Sequence, residues 1–387
     1  MEENGRIVKR PRFKAWAVAA AFVVAIGYGE GLVRWLYPYN TPDTMRQFSL
    51  PLVPAVYARH LLQQLDRIVE VSGEKAWGVV GNNAATGQVY FINRYGYRGP
   101  SFQLPKPTGL KRIVVLGGST VFDRDALEGK DWPHLVQTIL KEKGDANVEV
   151  INAGIPGQTT ADILGQLFAE IWLWEPDYVL VYEAWNDIKY FGDLSYEKPL
   201  IRLIPPLNPD ADPFKTYQGS VDYLLSYSQL YIKMRNKYFA WKYPLGPEGV
   251  LLNKEPKKEP GPFGIVQYRH NLELLVDASR NIHAVPILLT QATLVAPGNM
   301  EEDRKKIAYG YVGLTHEGLV KTLDMCRQAV VEVGSRKNIA VLDLARELNG
   351  RRELFSDHNH TTEQGSQEIA KRVADFLAPI LKANSHT

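Results

Sequence analysis

The sequence predicts a three-layer α/β/α sandwich on a mainly parallel five-stranded sheet, preceded by one N-terminal transmembrane helix. Three observations point there. From about residue 108, short runs rich in β-branched residues alternate with amphipathic stretches. The runs are apolar nearly throughout, as strands are when helices cover both sheet faces. Close to the N-terminus, an uncharged stretch over 15–29 follows a block of basic residues.

Composition sets the outer limits. With 387 residues, 45% of them hydrophobic, the chain has ample material for a packed core. A net charge of +2 argues against a nucleic-acid partner, which needs a basic surplus on one face. The single cysteine, Cys326, allows neither an intrachain disulfide nor a cysteine-based zinc site. A mean hydropathy of −0.23 excludes a polytopic membrane protein.

The N-terminal element comes first. Arg6, Lys9, Arg10, Arg12 and Lys14 make residues 1–14 a basic tail, and 15–37 reads as a signal anchor. Gly31, Leu32, Val33, Trp35 and Leu36 extend the uncharged core towards the ~20 residues that cross a bilayer. Glu30 and Arg34 interrupt it at i,i+4 spacing, where they can pair on one helix face. Trp35, Tyr37 and Tyr39 fit an interfacial aromatic belt. Basic flanks stay in the cytoplasm, so the body is expected on the far side of the membrane. A cleaved signal peptide is the competing reading, with Ala25-Ile26-Gly27 a passable cleavage site that would leave a secreted or periplasmic body.

Residues 38–107 form a leader region, with a helix expected over 55–69 and a strand over 88–93. The main domain follows over 108–385. Its strands are expected at 112–116, 148–151, 178–182, 286–289 and 339–342. Trp132, Leu135, Val136, Ile139 and Leu140 mark one helix, and Ile163, Leu164, Leu167, Phe168, Ile171 and Trp172 a second, with Thr159 or Thr160 as N-cap. Further helices are expected over 266–282, 314–333 and 362–381. Right-handed crossovers then place helices on both faces of a parallel sheet. An insertion at 189–262, with a Pro205-Pro206 pair and the charged run Asn253-Lys-Glu-Pro-Lys-Lys-Glu-Pro260, starts just after the third strand. That is the carboxyl edge of the sheet, where ligands bind in open α/β folds.

Four motifs fall at strand ends. Gly117-Gly118-Ser119-Thr120 follows the first strand and offers a serine with its amide N–H at the sheet edge; a plain βα turn or a phosphate loop fits equally well. Asn152-Ala153-Gly154-Ile155-Pro156-Gly157-Gln158-Thr159 follows the second, its glycines permitting positive φ or close backbone approach. Ala184-Trp185-Asn186-Asp187 follows the third. Asp357-His358-Asn359-His360 precedes the last helix, at a spacing that lets one turn bring Asp357 to the imidazole of His360. Asp357, His358 and His360 also form a possible metal-ligand set, but no His-Glu-x-x-His stretch supports it. No metal and no cofactor is expected.

In this order, over most of residues 111–380, the four blocks resemble those of the SGNH hydrolases, also called GDSL esterases. The resemblance implies a flavodoxin-like sheet, Ser119 as nucleophile, His360 as general base and Asp357 as its orienting acid. It also implies an oxyanion hole from the Ser119 N–H, the Gly157 N–H and the Asn186 side-chain amide. The family's Gly-Asp-Ser is Gly-Gly-Ser here. Asn93-Arg-Tyr-Gly-Tyr-Arg-Gly99 is similar to an element preceding the catalytic domain in membrane-anchored bacterial members; for its Arg98 a structural ion pair is favoured over substrate binding.

The implied activity is hydrolysis of O-acyl esters, O-acetyl foremost, on cell-envelope or exported carbohydrate. Tyr190, Phe191, Tyr196, Tyr217 and Trp241 of the insertion are candidates to stack on sugar rings. Three alternatives use the same residues or fold: an O-acyltransferase, a lysophospholipase or thioesterase with a lipid substrate, and an inactive component of a polysaccharide-assembly complex with envelope partners.

Overall fold

The computed structural model describes residues 13–36, 67–71, 74–79, 90–93, 95–191, 220–225, 228–242 and 256–383. Its described elements group into two units.

In the first unit, helix α1 (Phe13–Leu36) carries no charge from Ala15 to Gly29. Its segment Trp16–Leu36 is long and apolar enough to cross a membrane, and none of it is buried against protein. At 1.5 Å per residue, 24 residues reach about 36 Å, more than a hydrocarbon core. Glu30 pairs with Arg34 at 2.8 Å, as their spacing suggests.

The main unit begins with a small antiparallel sheet, β1 (Arg67–Val71), β2 (Glu74–Val79) and β3 (Tyr90–Ile92). The helix expected over 55–69 is therefore a strand at its described end, 67–69. Arg-Ile-Val-Glu-Val is a β-branched run, and antiparallel pairing with β2 outweighs its weak helical signal.

The five main strands lie within one residue of their expected bounds: β4 (Lys111–Gly117), β5 (Val148–Asn152), β6 (Tyr178–Tyr182), β7 (Val285–Leu289) and β8 (Ala340–Leu342). All pair in parallel, in the order β5-β4-β6-β7-β8. Ile113 to Leu116 and Val179 to Leu180 are fully buried, which explains their unbroken apolar pattern.

Helix α2 (Trp132–Glu142) covers one face of the sheet, packed on the last helix. Helix α3 (Thr160–Ala169) covers the other. Thr159 caps it in a reciprocal box with Asp162, as the sequence allowed. Phe168 and Trp172, expected on its buried face, are 65% and 51% exposed: Phe168 sits on the solvent side of the helix itself, and Trp172 falls in a 3₁₀ turn over Ile171–Trp174, beyond the helix end at Ala169. Helix α4 (Trp185–Phe191) starts at the end of β6.

Within the insertion, α5 (Ser220–Leu225) and α6 (Gln229–Lys242) belong to the first unit, where α6 packs on α1. Ser228 caps α6 by accepting the Tyr231 N–H, while Glu30 accepts both the Ser228 hydroxyl at 2.7 Å and the Leu230 N–H at 2.9 Å. An acid of the apolar helix thus completes the cap of a helix 200 residues away. In the main unit, α7 (Pro262–Asn281) and α8 (His316–Lys337) join α3, and α9 (Glu363–Ala383) joins α2.

Candidate active site

Strand β4 ends at Gly117, and the chain turns at once into a single helical turn, Ser119–Phe122, that presents Ser119 at the carboxyl edge of the sheet. From the far end of the sequence, the loop before α9 brings His360 to it. His360 Nε2 lies 2.8 Å from Ser119 Oγ, and His360 Nδ1 lies 2.7 Å from Asp357 Oδ2. An ionised carboxylate only accepts, so the ring proton sits on Nδ1 and Nε2 is left to accept from the serine hydroxyl.

Asp357 is fixed by its own loop. Its Oδ1 accepts the backbone N–H groups of Asn359 and His360 at 3.0 and 2.9 Å, an Asx turn that locks the carboxylate onto the ring. Burial pushes this carboxyl up, but the hydrogen bond and charge of His360, helped by His358, hold it well below its ordinary value. Arg124 adds a contact to Oδ2 at 3.2 Å. His358 stacks on Trp185 with ring centroids 4.2 Å apart. Burial pushes its pKa down to about 4, with Asp357 opposing and His360 and Arg124 adding to the fall.

The other two blocks meet the Ser119 turn at Gly118. A β-carbon added there would stand 2.5 Å from Asn186 Nδ2 and 3.4 Å from the Gln158 carbonyl. Asn186 Nδ2 donates to that carbonyl at 2.9 Å, and its second amide hydrogen has no protein acceptor among the described residues. The Gln158 carbonyl only accepts, which fixes the end of the amide that carries hydrogens, and Tyr311 donates to Asn186 Oδ1 at 3.1 Å. The two glycines of the second block divide their tasks. Gly154 backs the Ser119 turn so closely that a β-carbon would meet the Phe122 nitrogen at 2.3 Å, and Gly157 takes φ +82°. The Ser119 N–H, at the first position of its turn, has no acceptor among the described residues.

Several supports escaped the sequence reading. Asp123 is buried and receives the Thr361 and Ser366 hydroxyls and the Trp132 N–H; burial pushes its pKa up to about 6 against the two hydroxyl bonds, with Asp131 adding to the rise. Asp187 holds the N-terminus of α3 through Thr160. Gln291 accepts the Ala184 and Trp185 N–H groups and donates to Thr120, and Glu183 bridges Gly118 to α4. Their signal was position alone: Asp123, Glu183 and Asp187 each lie within four residues of a site residue.

Arg98 is 1% exposed and spends its guanidinium on the carbonyls of Phe122, Asp123, Ala126 and Leu127, with Asp131 at 3.5 Å. It is a structural brace for the segment after Ser119, as favoured. Asp357, His358 and His360 bring ligand atoms within 4.8 Å of one another, but the triad geometry already engages both His360 nitrogens and both Asp357 oxygens. Of the aromatics proposed to stack on sugars, Phe191 is buried against Tyr268 and Gly264, because α4 turns it into the core. Tyr196 and Tyr217 and the side chain of Trp241 lie outside the described residues.

A comparison with curated proteins finds no match. Solved structures with similarity include a lipase/acylhydrolase from Enterococcus faecalis, at 18% identity and TM-score 0.41, covering 70% of this chain and 96% of that one. A catalytic mutant of the acetylxylan esterase Axe2 from Geobacillus stearothermophilus aligns at 15% identity and TM-score 0.40, covering 69% and 94%. The profile of one family spans the four blocks, from Val115 in β4 to Glu368 in α9. By that match over residues 115–368, the chain belongs to the GDSL-like lipase/acylhydrolase family.

Proposed function

We propose that the chain is a membrane-anchored serine esterase that removes O-acyl groups, O-acetyl foremost, from cell-envelope or exported carbohydrate. The observation that carries this reading is the linear arrangement of Asp357, His360 and Ser119, with contacts of 2.7 and 2.8 Å. In this reading His360 Nε2 takes the Ser119 proton as Oγ attacks the ester carbonyl. The carbonyl π pair moves onto oxygen, and the Ser119 N–H, the Gly157 N–H and the Asn186 amide receive that charge. Collapse expels the alcohol, which takes the proton back from His360. Water then repeats the sequence on the acyl-serine, releasing the acid and free Ser119.

The setting supports the substrate class. Trp16–Leu36 qualifies as a span, and the basic residues ahead of it favour a cytoplasmic N-terminus. A catalytic body tethered on the other side faces the envelope glycans. The test is acetate release from acetylated polysaccharide by the full chain in detergent. Wild type releases acetate and Ser119→Ala does not; equal inactivity of the two on every acyl donor tried would refute the reading.

A further inference from the structure

Gly118 is the departure from the family motif, which carries aspartate there, and the structure gives its physical reason. Its backbone, φ −88° and ψ −146°, does not demand glycine. Space does. A β-carbon would lie 2.4 Å from Glu183 Oε2 as well as 2.5 Å from Asn186 Nδ2. The carboxyl group that fills this space comes from the neighbouring strand, from the residue just past the end of β6.

Glu183 is 2% exposed, and each of its oxygens is engaged. Oε2 accepts the Gly118 N–H at 2.8 Å; Oε1 accepts the Asn186 N–H at 3.0 Å and the Ala184 N–H at 3.1 Å. Its own carbonyl takes the Tyr268 hydroxyl at 2.7 Å, tying the same residue to α7. One side chain therefore joins the peptide that leads into Ser119 to the backbone of Asn186.

We propose that Glu183 is the positioning residue of the oxyanion site, its carboxyl group setting the distance between the Ser119 N–H and the Asn186 amide. The proposal rests on the serine-esterase reading above and deepens it. Oxyanion donors act by preorganisation, so an error of a few tenths of an ångström between two of them weakens both in the transition state. Binding of the substrate ground state depends much less on that distance.

The electrostatics agree with the placement. Burial, reinforced by Asp187, pushes the Glu183 carboxyl up to about 8, against the lowering effect of the three N–H groups. The other titratable groups facing it are Tyr182, Tyr268 and Cys326, all raised by burial and neutral near pH 7. The oxyanion thus forms beside a carboxyl that carries little negative charge.

The experiment compares wild type, Glu183→Ala, Glu183→Gln, Gly118→Ala and the double variant Gly118→Ala/Glu183→Ala as full chains in detergent. Turnover of a small acetyl ester, labelling of Ser119 by a fluorophosphonate and melting temperature are recorded for each. Glu183→Ala lowers kcat by about 10²-fold with KM within about threefold, and slows labelling in parallel. Glu183→Gln, which keeps length and one acceptor oxygen, recovers part of the loss. Gly118→Ala also lowers kcat, and the double variant loses less than the product of the singles, because both changes act on one contact. An active wild type with Glu183→Ala equally active, a loss confined to KM, or strictly multiplicative losses would overturn the proposal and leave the esterase reading standing. A wild type that neither turns over nor labels overturns both.

Discussion

Thr361 donates its hydroxyl to Asp123 at 2.6 Å, joining the residue after His360 to the residue that closes the turn begun by Ser119. His360 and Ser119 are thus held together by a second bond besides their own contact. Ser366 makes the same link from α9, also at 2.6 Å. Thr361→Ala is expected to leave one acceptor of a buried carboxyl short of a partner, at a cost of about 1–3 kcal/mol. Urea denaturation would measure that loss, and kcat should fall with it because the His360 loop gains freedom. An unchanged unfolding midpoint would show the clamp to be idle.

Within the triad, the losses should be graded. Ser119→Ala and His360→Ala each remove the reacting group and are expected to lower kcat by about 10⁴-fold or more. Asp357→Asn presents an amide to Nδ1 and favours the wrong tautomer, so its loss should approach theirs. Arg124 reaches Asp357 at 3.2 Å from a side chain that is 43% exposed, and solvent screens it. Arg124→Ala should therefore cost less than about tenfold. Steady-state kinetics on one small ester would order the four, and an Arg124 loss as large as that of Asp357 would contradict this account.

Arg98 should behave as a brace and not as a ligand for substrate. Four N–H groups of the guanidinium serve four carbonyls while its Nε stands 3.5 Å from Asp131, and an ammonium cannot reproduce that fork. Arg98→Lys is expected to cost about 3–5 kcal/mol of folding free energy, the range for breaking a buried charged network. KM should be unaltered in whatever fraction folds. A stable variant with raised KM would return Arg98 to the list of substrate contacts.

The parts of the fold that were legible in the sequence are those where one physical signal dominates. Val179 to Leu180 and Ile113 to Leu116 are buried on both sides, so their apolar runs carry the whole message. The Asp357–His360 loop was readable because three-residue spacing is enough for one turn to close on itself. Glu183 and Asp123 were not, because a buried acid looks in sequence like any surface acid until its partners arrive from other strands. Trp172 misled for the opposite reason: a helical stripe continued in the sequence past Ala169, where the helix itself stopped.

Stability should depend on pH through the same hidden acids. Burial raises Asp123 from 3.8 to about 6 and Glu183 from 4.5 to about 8, so both hold a proton more tightly folded than unfolded. Their stabilisation is complete below those unfolded values and is lost as pH rises through about 6 and about 8. Asp357, depressed below its ordinary 3.8, contributes in the opposite sense, its share vanishing as pH falls past that value. His358, lowered from 6.5 to about 4, acts in the opposite sense below 6.5, so the melting temperature of wild type should decline between about pH 6.5 and pH 8, and Glu183→Gln should flatten that decline. An identical slope in the variant would mean that Glu183 does not titrate there.

The last prediction concerns the first unit. Glu30 accepts the Ser228 hydroxyl and the Leu230 N–H with one oxygen and the Arg34 guanidinium with the other. A carboxylate in an otherwise apolar helix is costly unless such donors meet it, and the α6 N-terminus is a source of unpaired N–H groups. Each therefore satisfies the other. Glu30→Ala should strip α6 of its distal cap partner, at about 1 kcal/mol, while Ser228 keeps the Tyr231 N–H. Hydrogen exchange of the full chain in lipid nanodiscs reads this directly, since 1.4 kcal/mol is a factor of about ten in local opening. The Leu230 amide should exchange several-fold faster in Glu30→Ala, with amides of the main unit unchanged. Equal protection of Leu230 in both proteins would mean that α1 does not hold the insertion in a bilayer.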